Sequence, residues 1–105
     1  MALYTVFFGA TLIGHSDLEM HDAAMGVAIG KFLPAPEYDA LRSTCIAAWA
    51  DRSQERRGLR VETSDGETLP AQGGVMLLDA EGMPLSEVEI EVAGIPSPFH
   101  ERVFS

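Results

Sequence analysis

Between Val61 and His100 this sequence has no lysine and no arginine. The same stretch carries eight carboxylates, Glu62, Asp65, Glu67, Asp79, Glu81, Glu87, Glu89 and Glu91. A surface drawn from it is one-signed and offers nothing to a phosphate backbone or an anionic headgroup. Residues 1–30 also lack cations and hold Asp17, Glu19 and Asp22. Five of the seven cations, Arg42, Arg52, Arg56, Arg57 and Arg60, are crowded into residues 42–60. With a formal charge of −9, nucleic acid and membrane surfaces are poor partners and a basic protein is a good one. An acid surplus also serves plain solubility, which is the competing explanation.

Other absences narrow the class further. Cys45 is the one cysteine, so no internal disulfide can form, the fold must stand on packing, and a reducing compartment is the natural expectation. No apolar run approaches the roughly 20 residues of a membrane span. Met1 to Gly9 has no basic lead-in and reads as a first strand rather than a signal peptide. A cytoplasmic protein is expected. No serine sits in a G-x-S-x-G elbow, and no glycine run ends in Gly-Lys-Ser/Thr.

What is present is the composition of an ordinary globular chain, 47% apolar and 22% charged over 105 residues. That length predicts one domain over residues 1–105, burying roughly 65% of the unfolded chain's surface. Leu3 to Phe8 is rich in aromatic and β-branched residues and stops at Gly9, which predicts a strand. Leu12 to His15 returns beside it through a short hairpin. Ser16 to Asp22 reads as a loop or one helical turn. In the segment that follows, Met25, Val27 and Ile29 alternate with Gly26, Ala28 and Gly30, so one face is bulky and the other nearly bare. The bare face invites close packing, and a helix is the expected occupant.

Pro36 suits a first helical position, with Glu37 and Asp39 at the positive end of the dipole. Tyr38, Leu41, Cys45, Ile46 and Trp49 form an apolar stripe of helical period. Arg52, Arg56 and Arg57 follow, and Gly58 is the expected stop. From Leu59 the period becomes two, with a turn at Ser64-Asp65-Gly66, a buried strand at Val75 to Leu78, and a second turn at Asp79 to Gly82. Glu87, Glu89 and Glu91 then alternate with Val88, Ile90 and Val92, the pattern of a half-buried antiparallel strand. The sum is an α+β fold of about six mostly antiparallel strands with one long helix packed on a face. The tail with Phe99, Val103 and Phe104 is expected to be irregular, docking back or pairing subunits.

The densest polar cluster is His15, Asp17, Glu19, His21 and Asp22. Imidazoles and carboxylates could ligate a divalent metal or form an acid and base pair, but the spacing fits no zinc signature, and a polar loop is the plainer reading. Cys45, mid-helix on the apolar stripe, reads as a buried thiol rather than a nucleophile. Tyr38 and Trp49 read as core. No catalytic residue, metal or cofactor is expected.

From Gly9 to Tyr38 the chain has the form G-x-x-x-x-G-x-S-D-L-E-x-x-D-x-x-M-G-V-A-x-G-x-F-x-P-x-x-x-Y. This pattern resembles small bacterial proteins, some encoded near toxin loci. In size, acidity and lack of catalytic motifs the whole chain is similar to immunity proteins, which neutralise toxins passed between competing bacteria. That resemblance implies a non-enzymatic protein that covers the cationic surface of a toxin, such as a nuclease. The residues expected to meet it are Asp79, Glu81, Glu87, Glu89 and Glu91, with Asp17, Glu19 and Asp22 as a second patch. The alternatives are a small metal-binding protein or hydrolase built on His15, Asp17, Glu19 and His21, and a homo-oligomeric accessory protein.

Overall fold

Eight strands form two antiparallel four-stranded sheets joined by one helix, in the computed structural model, which describes residues 3–22, 24–55 and 57–96. The first sheet has the order β5-β2-β1-β6 and the second β3-β4-β8-β7. In chain order the strands are β1 (Tyr4–Phe8), β2 (Thr11–Ser16), β3 (Met20–Asp22), β4 (Val27–Lys31), β5 (Leu33–Pro34), β6 (Leu59–Glu62), β7 (Gly74–Leu78) and β8 (Glu89–Ala93). The α-helix α1 (Tyr38–Ala50) lies between β5 and β6, and a 3-10 turn (Leu85–Glu87) precedes β8. One core joins the sheets and the helix. It takes Tyr4, Val6 and Ile13 from the first sheet, Ala28, Leu77, Ile90 and Val92 from the second, and Tyr38, Cys45 and Ala48 from α1. Among the described residues no helix is long and apolar enough to cross a membrane.

The α+β class stands, with two corrections to the strands. There are eight rather than about six, because the expected loop after Ser16 contains β3 and because Leu33–Pro34 pairs with β2. Glu87 lies in the 3-10 turn, so the acidic strand begins at Glu89. The β1–β2 hairpin forms as expected, with Phe8 opposite Thr11 and Gly9 in the left-handed region at φ 64°. The tail residues Phe99, Val103 and Phe104, and Arg56, lie outside the described residues.

A bent hairpin ties the sheets together. β2 and β3 run antiparallel to β5 and β4, so the chain crosses from one sheet to the other twice, at Asp17–Glu19 and at Phe32. The crossing is built from short-range polar bonds. Ser16 Oγ accepts the Leu18 N–H at 3.1 Å, Leu18 takes a left-handed φ of 45°, and a Glu19 carboxylate oxygen accepts the Lys31 N–H at 3.0 Å. On the other strand the Phe32 N–H bonds to the Val88 carbonyl at 2.9 Å, and its ring packs edge-on to Tyr38. The nearly bare face of Gly26, Ala28 and Gly30 is buried, as expected, but this crossing covers Gly30 and Ile95 covers Gly26, in place of the expected helix, while Ala28 joins the core. The helix instead packs against β2 and β7.

The helix also ends earlier than Gly58. The Ser53 N–H bonds to the Ala48 carbonyl at 2.8 Å and the Arg52 N–H to the Trp49 carbonyl at 3.2 Å. This is a Schellman closure in which Arg52, at φ 58°, holds the left-handed position glycine normally takes. A Cβ on Gly30 would lie 2.7 Å from Leu18 Cα, a backbone atom that cannot swing aside. Gly30→Ala is therefore expected to cost about 1–3 kcal/mol, the usual scale of overpacking. Thermal unfolding reads this directly, and an unchanged midpoint would show that the crossing relaxes around a methyl group.

Candidate functional site

The second sheet has one face in the core and one outside. Ala28, Ile90, Val92, Val75 and Leu77 point inward, so alternation sends Val27, Ile29, Lys31, Glu89, Glu91, Met76 and Leu78 to the outer face. Register arranges them in rows. Met20, Ile29, Glu91 and Met76 stand side by side across β3, β4, β8 and β7, while Lys31, Glu89 and Leu78 form the next row. Met20 is 66% exposed and Met76 38%, and Met25 in the turn before β4 is 71% exposed. Glu91 therefore stands between apolar side chains on both sides, whereas Glu89 has Leu78 on one side and Lys31 on the other. The expected acidic face is a mixed one.

The remaining expected acids divide by role. Glu81 and Glu87 are exposed in the loop between β7 and β8, close in sequence to the same face. Asp22 accepts the N–H groups of Ala24 and Met25 at 2.9 and 3.3 Å and so shapes the β3–β4 turn while remaining exposed. Glu19 is exposed but engaged in the crossing, and Asp17 is half-buried beside it. Asp79 does not belong to the surface at all. It is 1% exposed and accepts hydrogen bonds from Tyr38 Oη at 2.5 Å, Arg42 Nε at 2.8 Å and Arg42 Nη2 at 3.0 Å. Its place in a docking patch is corrected: a turn residue read as solvated is the internal anchor of the helix.

Asp79 also shows how its surroundings set its charge. Burial pushes the carboxyl toward the neutral form, but the hydrogen bonds from Arg42 and Tyr38 and the Arg42 charge outweigh it and hold the pKa below the ordinary value. The same environment raises the Tyr38 phenol, first through burial and then through the Asp79 hydrogen bond. Burial, with the Asp79 charge behind it, pushes the Cys45 thiol up to about 11. Cys45 is 1% exposed, so little of it is thiolate near neutrality and it has no access to a substrate. Three of the clustered arginines are engaged by carboxylates. Arg42 meets Asp79, Arg57 lies 3.8 Å from Asp51 and donates to Ser53 Oγ, and Arg60 meets Glu62 at 3.2 Å while stacking on Phe7 at 4.5 Å. Arg52, by contrast, is exposed and lines the cleft beside Met76, so the outer face of the second sheet sets Glu89 and Glu91 against Lys31 and has a further cation at its β7 border.

His15 lies on β2 in the first sheet and His21 on β3 in the second. Among the described residues no three of His, Cys, Asp and Glu converge into a metal-holding group. Trp49 is half-buried rather than core and lines a cleft of about 320 Å³ with Arg52, Gln54, Glu55 and residues Gly73 to Met76. Sequence reading missed this cleft and the exposed methionines. Their available signal was Met76, which interrupts Val75 to Leu78 at an outward position. Comparison with protein-family models, with curated proteins and with solved structures returns no match.

Two outcomes test this picture. The folded-state pKa of Asp79 is depressed, so the carboxylate stabilises the fold above about pH 4, its unfolded value, and that stability is lost as pH falls through the folded pKa. Asp79→Asn should cost about 3 kcal/mol in urea unfolding at neutral pH, the low end for a broken buried pair because Arg42 stays partly exposed. It should also flatten the acid limb of the stability curve. Native Cys45 should react with iodoacetamide at pH 8 at least about 100-fold more slowly than the urea-unfolded chain, given the loss of thiolate and of access. Equal rates would place the thiol at the surface.

Proposed function

We propose that this chain is a non-catalytic binding protein that seats a basic protein partner on the outer face of its second sheet, in the manner of an immunity protein covering a cationic toxin. The observation that carries the reading is the row in which Glu91 stands between half-buried Ile29, with exposed Met20 beyond it, and exposed Met76. Glu89 in the next row lies between Lys31 and half-buried Leu78. Each half of that surface supplies what the other lacks. Carboxylates attract a cationic partner and can raise association rates from about 10⁶ toward 10⁸–10⁹ M⁻¹s⁻¹ at low salt. Apolar side chains then supply burial, at roughly 25 cal/mol per Å² removed from water. Methionine suits this role because its unbranched chain adapts to the shape it meets.

The matched arginines favour the same reading. With Arg42, Arg57 and Arg60 engaged by Asp79, Asp51 and Glu62, the cations that a positive partner would meet here, among the described residues, are Lys31 on the face and Arg52 at its β7 border. Glu81 and Glu87, in the loop beside it, extend the negative rim. A toxin with a nucleic-acid-binding surface is the kind of partner whose charge fits, and covering that surface would block its substrate. The cytoplasm, where Cys45 stays reduced, is the proposed site of action.

The test is differential capture from the native cell. Immobilised wild-type protein should retain a basic protein in a salt-sensitive manner. The double variant Glu89→Lys/Glu91→Lys should retain it at least about tenfold less, a loss of about 1.4 kcal/mol or more. Both positions lie on the outer face, so the variant should keep the wild-type circular dichroism spectrum, with only the modest penalty of placing like charge opposite Lys31. Equal retention by both proteins, or retention of no basic protein, would sink the proposal.

A further inference from the structure

The outer edge of β7 has a feature of its own, in backbone rather than side-chain chemistry. β7 is the last strand of its sheet and pairs with β8 on one side alone. On its other side Gln54 acts as a surrogate strand. Its carboxamide oxygen accepts the Leu77 N–H at 3.0 Å, and its nitrogen donates to the Leu77 carbonyl at 3.0 Å and to the Cys45 carbonyl at 3.2 Å. A side-chain amide has thus taken the place of one peptide group on the sheet edge.

The geometry of the ladder then decides what lies next to it. In an antiparallel strand the N–H and C=O of one residue point to the same side, and residues two apart point alike. The Leu77 groups face Gln54, so those of Val75 face the same way, away from β8. What lies there is the cleft of about 320 Å³ lined by Trp49, Arg52, Gln54 and Glu55. Gly74, at φ 108°, contributes no side chain, and the Glu55 carboxylate stands 3.0 Å from where its Cβ would be.

We infer that this cleft receives an extended peptide segment, which adds to the edge of β7 at Val75 and continues the pairing that Gln54 begins at Leu77. Strand addition takes its affinity from main-chain bonds and its selectivity from alternate side chains. Here an apolar side chain of the segment would rest on Trp49 and Met76, and lysine or arginine at the position facing the outer side of the sheet would answer Glu91, whereas inside the cleft Arg52 offsets Glu55. Glu91 lies opposite Met76, so the segment would continue the docking face on the outer side of the sheet. The inference rests on the proposed binding of a basic protein and names the part of it that enters first: an extended basic stretch with alternating apolar residues.

The test uses the full-length protein and a phage-displayed library of random dodecapeptides. Selected peptides should alternate apolar residues with Lys or Arg. Binding should slow hydrogen exchange of the Val75 amide at least about tenfold, and methylating alternate backbone nitrogens of the peptide should weaken it at least about tenfold, equivalent to 1.4 kcal/mol. The second measurement leaves the protein untouched, so it cannot be confused with misfolding. Failure to select any peptide, protection elsewhere with Val75 unchanged, or indifference to N-methylation would each overturn strand addition. Peptides that tolerate N-methylation but are lost with Glu89→Lys/Glu91→Lys would refute the edge and leave the sheet-face reading standing. Edge binding with no preference for Lys or Arg would keep strand addition while removing the basic partner.

Discussion

A carboxylate with 1% exposure in the wall of an apolar core must be matched or give up its charge, and the matching of Asp79 fixes where everything around it sits. Tyr38 and Arg42 reach it from one face of α1, and Arg42 also donates to the Met83 carbonyl. The helix is thereby locked to the loop that follows β7. Because it is held there, its far half lies along the edge of the second sheet, and Gln54 can bond both Cys45 and Leu77. A helix in that position closes one side of the core without covering the sheet's outer face. The openness of that face follows from where Asp79 is.

The second constraint is the crossing between sheets, and it gives the pattern from Gly9 to Tyr38 a physical meaning. Gly14 lies under the Phe32 ring, where a Cβ would come within 2.5 Å. Ser16, Leu18 and Glu19 form the bend, Gly30 leaves room for it, and Asp22 shapes the next turn. Gly26, at φ 65°, accepts the Ile95 N–H through its carbonyl. Tyr38 closes the series on Asp79. Many fixed residues of the pattern thus have a folding task, although Met25 is 71% exposed, and the proposed binding surfaces take Met20 and Ile29 from within its span and Glu89, Glu91, Met76 and Trp49 from outside it. Likeness in that stretch reports architecture more directly than it reports a partner.

Sequence made some of this legible and hid the rest for identifiable reasons. Alternation at Val88, Ile90 and Val92 found a buried face, and all three are fully buried. The helical stripe found Tyr38 and Cys45 but overstated Ile46 and Trp49, which are half-buried because the helix lies at a sheet edge. β3 was hidden because its three residues are all exposed at an edge, so no apolar period marks it. Asp79 misled because Asp followed by Gly three residues later looks like any surface turn, and its partners are 41 and 37 residues away. Charge counting located the acidic strand, and the turn at Asp79 to Gly82 placed β7 beside it, but Met76 read as part of a buried strand, and Ile29 and Met20 come from β4 and β3, far away in sequence.

That last point changes what the absence of lysine and arginine between Val61 and His100 implies. A uniformly acidic sheet would attract any cation and release it readily, because solvated glutamates gain little from exposed pairing. An acidic strand set between apolar ones behaves differently. Long-range attraction brings a basic surface near, but only a partner with apolar side chains spaced to meet Met20, Ile29 and Met76 gains from burial once it arrives. A partner that brings only charge is left desolvating the glutamates without that compensation. On the proposed reading, selectivity comes from the apolar flanks and the carboxylates govern how fast the partner is found.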